Sequence, residues 1–500
     1  MDPLTLKPNV LKSTLARVLS FGVLILAVRF AYMVTVKGGS CVSGDFCFRN
    51  RRAAADRVAE DFLSAPKKWR KLVDYYSSIF QDLVSEGFLS PNSRALCVET
   101  LAGEDVLALR EIGVLDSIGI STNPTASAPL IVHGELYRQP FDDDTFDFEF
   151  SGTFGLDRSD RPFDLALEIS RTLRPGGFLV VHTASKDRYS LDSLLDFFSN
   201  CCRLIRSHEV DGLDSSPSIR EVVIKKEIDP IQIQNLGHKG RNFSPNVNLV
   251  NKCSVQGHRR DLIQNAEPLI QEEPLKPWIT LKRNIKNIKY LTSMVDISFK
   301  NRYVYVDVGA RSYSSSIGSW FKKQYPKQNK TFEVYAIEAD KAFQEEYRGK
   351  RGVTLLPYAA WVRNETLFFE ITWDSRKKIV ERGRGGMGRI RPVQSSVSYM
   401  GDVDKIHGID FAGWLKKTVS ERDFVVVKMD VEGTEFHLVP RLIETGAICL
   451  IDEIFLECHY NRWQRCCPGQ RSVKYRKTYA QCMDLFTTLR ESGVLVHQWW

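Results

Sequence analysis

Three stretches in the second half of the chain share one pattern, an apolar run followed by acidic residues and glycine or alanine. They are residues 303–309, 333–339 and 424–433. Apolar runs without alternation, separated by segments of helical periodicity, predict parallel strands that helices cover on both faces. Ligands of such sheets bind beyond the carboxyl ends of the strands, which is where these acids fall. The pattern predicts a doubly wound α/β sheet with a ligand site at that edge.

The remaining elements of this unit, residues 281–500, follow from periodicity. Helices are predicted at 281–299, 315–325, 341–347, 410–418, 434–443 and 475–492. Further strands are predicted at 353–356, 366–371, 451–458 and 494–500. This alternation is typical of a doubly wound sheet, with the last strand at its edge.

A separate unit is predicted at residues 55–226. It has strand-like runs at 95–99 and 117–121, a helix at 104–112, and a Pro-Gly-Gly turn at 175–177 that leads into an apolar strand. The segment between the two units, residues 227–280, is rich in Asn, Gln, Pro and His and shows no period. We therefore predict a loop-rich linker there.

Residues 18–36 are apolar except for Arg29 and a few small or hydroxyl residues, and their number suits one membrane span. We predict an uncleaved signal anchor behind a short tail, residues 1–17. The alternatives are a cleaved signal peptide and a buried or organelle-targeting helix. Basic residues on both sides leave the orientation open, but a short tail favours a type II, single-pass protein of the Golgi or endomembrane system. Cys41 and Cys47 could then pair in an oxidising lumen.

The 500 residues are 43% hydrophobic and 26% charged, which is typical of globular proteins. The net charge of +8 is mild, so we expect no nucleic-acid partner. Eleven cysteines cannot all pair within one chain. Cys458, His459, Cys466, Cys467 and Cys482 lack the usual spacing of zinc ligands, so we expect a disulfide in this cluster and no metal site.

In the first unit, residues 139–148 and 168–182 resemble the second half of a class I S-adenosylmethionine-dependent methyltransferase domain. The first half departs from that family. Only Gly103 remains of the glycine-rich turn, and Ser121 stands where an acid would hold the ribose. The resemblance therefore implies a degenerate methyltransferase-like scaffold.

The second unit resembles the FkbM-type branch of class I methyltransferases. Five blocks follow in that family's order: VDVGA, VYAIEAD, LLPYAAW, DFVVVKMDVEGTEF and DEIFLECH. The two-unit, membrane-anchored arrangement also resembles a group of plant methyltransferase-like proteins. The resemblance implies two Rossmann-like sheets in tandem, S-adenosylmethionine as cofactor, and methyl transfer to oxygen or nitrogen of a small-molecule or glycan acceptor.

The resemblance also implies cofactor-binding residues. Gly309 and Ala310 form the tight turn after the first strand, and the next helix offers N–H groups to the methionine carboxylate. Asp307 accepts from the cofactor's amino group, directly or through water. Glu338, with Asp340 beside it, accepts the ribose hydroxyls. A structural role for these acids, as caps at strand ends, is the alternative.

Ala359, after Tyr358, is expected against the adenine ring. Asp430 and Glu432 follow the fourth strand, where donor and acceptor meet; Asp430 also borders the cofactor, and either could be the catalytic base. The segment 376–391 carries seven basic residues among glycines and could clamp an acidic acceptor as a mobile loop. The competing hypothesis is a catalytically silent scaffold or binding protein.

Overall fold

The computed structural model describes residues 66–122, 130–152, 155–213, 218–227, 257–372, 387–391, 402–464 and 469–499. The predicted tail and anchor, Cys41, Cys47, Cys466, Cys467 and most of the basic segment 376–391 lie outside these ranges. Within them, no helix has the length and apolar character that a membrane crossing requires. Ala65–Trp500 form one compact unit, in which the described residues build three sheets.

The first sheet has seven strands. They are β1 (Ala95–Val98), β2 (Ser117–Ser121), β3 (Ile131–His133), β4 (Phe146–Ser151), β5 (Leu173–Thr183), β6 (Cys202–Val210) and β7 (Ile219–Lys226). Their order is β3-β2-β1-β4-β5-β7-β6, and β7 runs antiparallel to both neighbours. The strands predicted near residues 95, 117 and 178 are confirmed.

The other ten strands form two sheets. They are β8 (Tyr303–Val308), β9 (Glu333–Ile337), β10 (Val353–Leu356), β11 (Ala359–Trp361), β12 (Glu365–Thr372), β13 (Met387–Arg391), β14 (Asp402–Asp410), β15 (Phe424–Met429), β16 (Glu453–Glu457) and β17 (Leu495–Trp499). The second sheet is parallel throughout, in the order β10-β9-β8-β15-β16-β17. The strand order reverses between β8 and β15, so a ligand crevice is expected at their carboxyl ends.

The third sheet, β11-β14-β12-β13, was not predicted. The segment predicted as a strand at 366–371 is indeed a strand, but it pairs antiparallel with β13 and β14 outside the doubly wound sheet. The end of the basic segment, β13, is a strand, so the prediction of a loop through residue 391 is wrong there. Pairing with β12 satisfies the backbone of β13 despite its Arg and Gly content.

The helices cover the two larger sheets. They are α1 (Pro66–Ser85), α2 (Glu104–Glu111), α3 (Pro162–Thr172), α4 (Arg188–Phe198), α5 (Gly257–Gln264), α6 (Pro277–Asn284), α7 (Leu291–Met294), α8 (Lys341–Gln344), α9 (Phe411–Thr418), α10 (Glu435–Glu444) and α11 (Tyr479–Glu491). The helix predicted at 315–325 is reduced to one π-helical turn, Ile317–Phe321, with Ile317, Trp320 and Phe321 buried as expected. The helix predicted at 281–299 is broken into shorter pieces.

The described part of the predicted linker is better ordered than the sequence suggested. α5 lies within it, and the segment that follows is tied to the second sheet: the Tyr479 hydroxyl donates to the Ile270 carbonyl, and Arg471 pairs with Glu273 at 2.8 Å. The polar composition gave no sign of this order, because the contacts are hydrogen bonds and ion pairs to residues distant in the sequence. Residues 257–264 are therefore helical where no period was recognised, while residues 265–276 form a loop.

One of these ties is a buried triad around His497 at the sheet edge. Its Nδ1 lies 2.6 Å from Glu267 Oε1 and its Nε2 lies 2.9 Å from Glu453 Oε1. Burial alone would lower the histidine pKa, but the hydrogen bonds to the two carboxylates outweigh it and raise the pKa to about 9. The protonated ring thus connects the segment before β8 to β16 and β17.

We expect this triad to make the free energy of unfolding depend on pH. The histidine pKa is raised from 6.5 in the unfolded chain to about 9, so its stabilisation is full below pH 6.5 and is lost as the pH rises through 9. The loss is about 3 kcal/mol, at about 1.4 kcal/mol per unit. In denaturant titrations, the difference between wild type and His497→Gln should shrink by that amount across this window. A constant difference would contradict the assignment, and the exposed His133→Gln serves as control.

Candidate active site

A cleft opens at the carboxyl ends of β8, β9 and β15, at the predicted switch point. Its volume is about 680 Å³ when the open mouth is counted. The third sheet forms its far wall through Phe369 and Ile390. The sequence-predicted residues Gly309, Glu338, Asp340, Ala359, Asp430 and Glu432 all line it. Asp307 and Ala310 do not, since both are fully buried beneath the turn.

Gly309 makes the closest approach in the cleft. Its φ of +79° belongs to the left-handed region, and a Cβ built there would lie 1.9 Å from the backbone oxygen of Asp430. Only glycine fits this crossing of the β8 and β15 ends. The N–H groups of Gly309 and Ala310 both donate to the Ile337 carbonyl, at 3.0 and 3.1 Å. The turn is therefore fixed to the end of β9.

This fixation corrects one expectation. The N–H groups of the helix after the turn were predicted to face the methionine carboxylate, and the N–H groups of the turn itself, those of Gly309, Ala310 and Arg311, already have partners. The next helical turn starts only at Ile317 and is five residues long. The Arg311 side chain, which the sequence argument did not single out, lines the cleft instead and lies over the Phe343 ring at 5.5 Å.

Glu338 stands immediately after β9 with its carboxylate against the cleft wall. The N–H groups of Arg311 and Asp340 each donate to it, both at 2.6 Å. Burial raises its pKa to about 7 despite these bonds. Because each carboxylate oxygen offers two acceptor sites, the group still has acceptor capacity toward a ligand.

Asp307 and Asp340 have structural partners. Asp307 accepts from the hydroxyl groups of Ser316 and Tyr305 and lies 3.5 Å from Lys428 Nζ. Asp340 caps α8 by accepting from the Ala342 N–H at 2.9 Å. For both acids the alternative of a structural role at a strand end matches the observed contacts, and their direct contact with a cofactor remains a prediction.

The wall opposite Glu338 is apolar and flat. Tyr358 is about one-third exposed at the mouth, while Ala359 and Ala360 at the start of β11 are almost fully buried. Phe343 and Phe369 complete this surface. Small side chains beside aromatic rings leave a slot in which a planar heterocycle can stack.

The acids after β15 differ in their surroundings. The Asp430 side chain is one-third exposed, with His459 Nε2 3.6 Å and Lys428 Nζ 3.9 Å from its carboxylate. Glu432 has a φ of +51°, pairs with Lys474 at 2.6 Å and accepts from the Tyr475 hydroxyl. Burial would raise the Glu432 pKa, but the charges of His459 and Lys474 outweigh it and lower the pKa. Asp430 is therefore the better placed of the two to act on a ligand.

Sequence reasoning missed two residues at the end of β16, Glu457 and His459, which lie beside Asp430. They close the block DEIFLECH, which was used only as a family marker. Their signal was the same as elsewhere, an acid directly after an apolar run. His459 had been considered only with the cysteines, where Cys458 instead bonds to Cys482, in agreement with the expected disulfide.

The first sheet holds no equivalent opening at the end of β1 among the described residues. The Gly103 N–H donates to the Thr100 hydroxyl, and Glu104 accepts from the Ala102 N–H at 2.8 Å. A Cβ at Gly103 would lie 3.2 Å from Ile131 of β3. This loop is filled by its own side chains and by β3.

Comparisons with known proteins give one family model that matches part of the chain and a set of similar solved structures. The family model "Domain of unknown function (DUF7870)" matches residues 263–367 and 390–500. No curated protein matches the chain. Similar solved structures include a Burkholderia thailandensis 1,6-didemethyltoxoflavin-N1-methyltransferase with S-adenosylhomocysteine, at 16% identity and TM-score 0.28, covering 37% of this chain and 94% of that one.

Two further structures are similar at the same level. N-methyltransferase NodS from Bradyrhizobium japonicum, also with S-adenosylhomocysteine, is 14% identical with a TM-score of 0.27, and the match covers 34% of this chain and 98% of that one. A methyltransferase from Aquifex aeolicus is 16% identical with a TM-score of 0.24, covering 29% and 87%. Scores this low decide nothing about activity, so the functional argument rests on the cleft.

Proposed function

We propose that the cleft of the second sheet binds S-adenosylmethionine and that the chain transfers its methyl group to an oxygen or nitrogen of a small-molecule or glycan acceptor. The observation that carries this proposal is the meeting of three features in one cleft: the obligate Gly309 turn, the Glu338 carboxylate after the next strand, and the slot beside Tyr358. A nucleoside needs all three, for close backbone approach, for its ribose hydroxyls and for its base.

Each residue of the cleft has a proposed role that follows from its side-chain chemistry. Glu338 accepts the ribose hydroxyls, Tyr358 and Ala359 hold the adenine, and the Arg311 guanidinium pairs with the methionine carboxylate. When bound, the cofactor supplies an electrophilic methyl group. Asp430 takes the proton from the acceptor atom as that atom bonds to the methyl carbon and the carbon–sulfur bond breaks.

The first sheet is proposed to be a scaffold. This proposal is supported by its filled β1 loop and by Ser121 in place of an acid. A second candidate function is a binding protein without catalytic activity. It is favoured by the contacts of Asp307 and Glu432 with residues of this chain. Cofactor binding by the second sheet separates the two candidates.

Membrane anchoring and a luminal, endomembrane location are proposed as well, with no nucleic-acid partner. The location is supported by the disulfide between Cys458 and Cys482 and by a further disulfide at Cys449, because disulfides persist in oxidising compartments. Protease protection of the 500-residue protein in intact microsomes tests this: digestion without detergent would contradict it.

Tyr358→Ala should weaken binding of S-adenosylhomocysteine about tenfold, since stacking of a base on an aromatic ring contributes about 1–3 kcal/mol. Fluorescence or calorimetric titration of the full-length protein measures the change. Val473→Ala is the control, because Val473 is 93% exposed and away from the cleft. Equal affinities for wild type and Tyr358→Ala would contradict the placement of the adenine.

A further inference from the structure

Three side chains from the ends of β15 and β16 point toward one another beside the cleft. Asp430, Glu457 and His459 each present one ligand atom, and these atoms all lie within 4.8 Å of one another. His459 Nε2 is 3.6 Å from Asp430 Oδ1 and 3.7 Å from Glu457 Oε1. These separations are too long for hydrogen bonds, so the three groups face one space without bonding each other.

The facing atoms also lack other hydrogen-bond partners among the residues that the structure describes. Glu457 and the Asp430 carboxylate accept no hydrogen bond there, and His459 is 93% buried with its Nε2 aimed into the gap. His459 Nε2 and the carboxylate oxygens of Asp430 and Glu457 therefore all face the gap with capacity for a further partner. This is an observation independent of the acidic character of the cluster.

The other side of the imidazole is held in place. Glu435, which is fully buried, lies 3.2 Å from His459 Nδ1 and also accepts the backbone N–H of His459 at 2.6 Å. A carboxylate that accepts from Nδ1–H fixes the ring orientation, and a metal ion that displaces the Nε2 proton would then bind the electron pair of Nε2. This is the second-shell arrangement that histidine ligands of metal ions use.

The local charge balance favours a cation. Four carboxylates surround His459, from Asp430, Glu432, Glu435 and Glu457. Lys428, between Asp307 and Asp430, and Lys474, paired with Glu432, offset only part of this negative charge. An ion between the three facing groups would relieve the repulsion among these acids.

We propose that Asp430, Glu457 and His459 form a binding site for one divalent first-row metal ion of the Mn²⁺ or Zn²⁺ type. One imidazole nitrogen and two carboxylate oxygens suit these ions better than Mg²⁺ or Ca²⁺, which prefer oxygen ligands alone. Metal–ligand bonds of about 2.0–2.2 Å require the carboxylates to close on the ion by roughly 1 Å. With three protein ligands, the ion keeps open positions.

Those open positions face the acceptor side of the cleft, because Asp430 belongs to both the cleft and the cluster. This extension rests on the proposed function. With the ion bound, one carboxylate oxygen of Asp430 would hold the metal, the metal would lower the acceptor's pKa, and the other carboxylate oxygen would take the acceptor's proton. The acceptor class then narrows to molecules with two adjacent oxygen ligands, such as a hydroxyl beside a carboxylate.

The test is equilibrium binding of MnCl₂ to the full-length, chelator-treated protein, with free Mn²⁺ measured by electron paramagnetic resonance. The expected result is one Mn²⁺ per chain, displaced by ZnCl₂ and not by equimolar MgCl₂. Glu457→Gln should weaken binding at least about tenfold. Glu444→Gln is the matched control and should bind as wild type does, since the Glu444 side chain is exposed at the end of α10, outside the cluster.

Absence of saturable Mn²⁺ binding, or equal binding by wild type and Glu457→Gln, would overturn the metal site. If Glu457→Gln does not fold, Asp430→Asn decides in the same way, because its side chain is one-third exposed. Titration of S-adenosylmethionine in the presence of chelator is run beside it. If the wild-type protein binds S-adenosylmethionine but not Mn²⁺, only the metal site is rejected. If it binds Mn²⁺ but not S-adenosylmethionine, only the cofactor site is rejected.

Discussion

Gly309→Ala is expected to destabilise the protein by several kcal/mol and to abolish cofactor binding. The new Cβ would lie 1.9 Å from the Asp430 carbonyl oxygen, a backbone atom that no side-chain rotation can move. The left-handed φ adds about 1–2 kcal/mol for any residue with a Cβ. Separation of β8 from β15 at this point would open the cleft, because both residues line it. Thermal unfolding and S-adenosylmethionine titration measure the two effects.

Gly349→Ala provides a matched control for this substitution. Gly349 has nearly the same φ, +75°, but nothing lies within 4 Å of a Cβ built there. Gly349→Ala should therefore lower the free energy of unfolding only by the cost of a left-handed φ, and its cofactor affinity should equal that of wild type. If Gly309→Ala proves no less stable than Gly349→Ala, the crossing of the two strand ends does not constrain the site and the account of the turn is wrong.

Glu338→Gln should weaken S-adenosylmethionine binding about 30-fold, equivalent to about 2 kcal/mol. The carboxylate accepts two backbone N–H groups and is the only group in the proposed cofactor contacts that can also accept two ribose hydroxyls. An amide has one acceptor oxygen, and its NH₂ would face an N–H donor. The variant's circular dichroism and thermal midpoint should change little by comparison, since the fold around β9 is retained.

The same carboxyl predicts the pH dependence of binding. Burial raises the pKa of Glu338 to about 7, so the acceptor form predominates only above that pH. Affinity for the cofactor should fall up to tenfold per unit as the pH drops below 7, and this dependence should vanish in Glu338→Gln. Affinity that is flat between pH 5 and 8 in wild type would contradict the ribose contact.

The main architecture could be predicted because the core strands carry their signal locally. β8, β9 and β15 are apolar on every residue but one or two, and each is followed by an acid at the sheet edge. The parallel α/β class and the helices between the strands follow from that pattern. The third sheet could not be predicted, because β14 is largely polar without regular alternation and β13 lies in an Arg- and Gly-rich segment. Long-range pairing with β12 decides the structure of both strands.

The site was predicted in part for the same reason. Gly309, Glu338 and Asp430 follow strands that can be recognised one at a time, so parallel alignment brings them to one edge. Glu457 and His459 required knowledge that β16 is the neighbour of β15, which no local pattern contains. Asp307 is likewise paired with residues of other elements, Ser316 and Lys428, so its structural role is visible only in the three-dimensional structure.

Calorimetric titration of S-adenosylmethionine into the full-length protein tests the central claim most directly. The account predicts one site per chain, with an affinity that is about 30-fold lower in Glu338→Gln and unchanged in Glu99→Gln. Glu99 lies at the carboxyl end of β1 in the first sheet, where it bonds to Thr122. The absence of binding heat in folded wild-type protein, or a site that Glu99→Gln removes and Glu338→Gln leaves intact, would contradict it and favour a chain whose second sheet carries no cofactor.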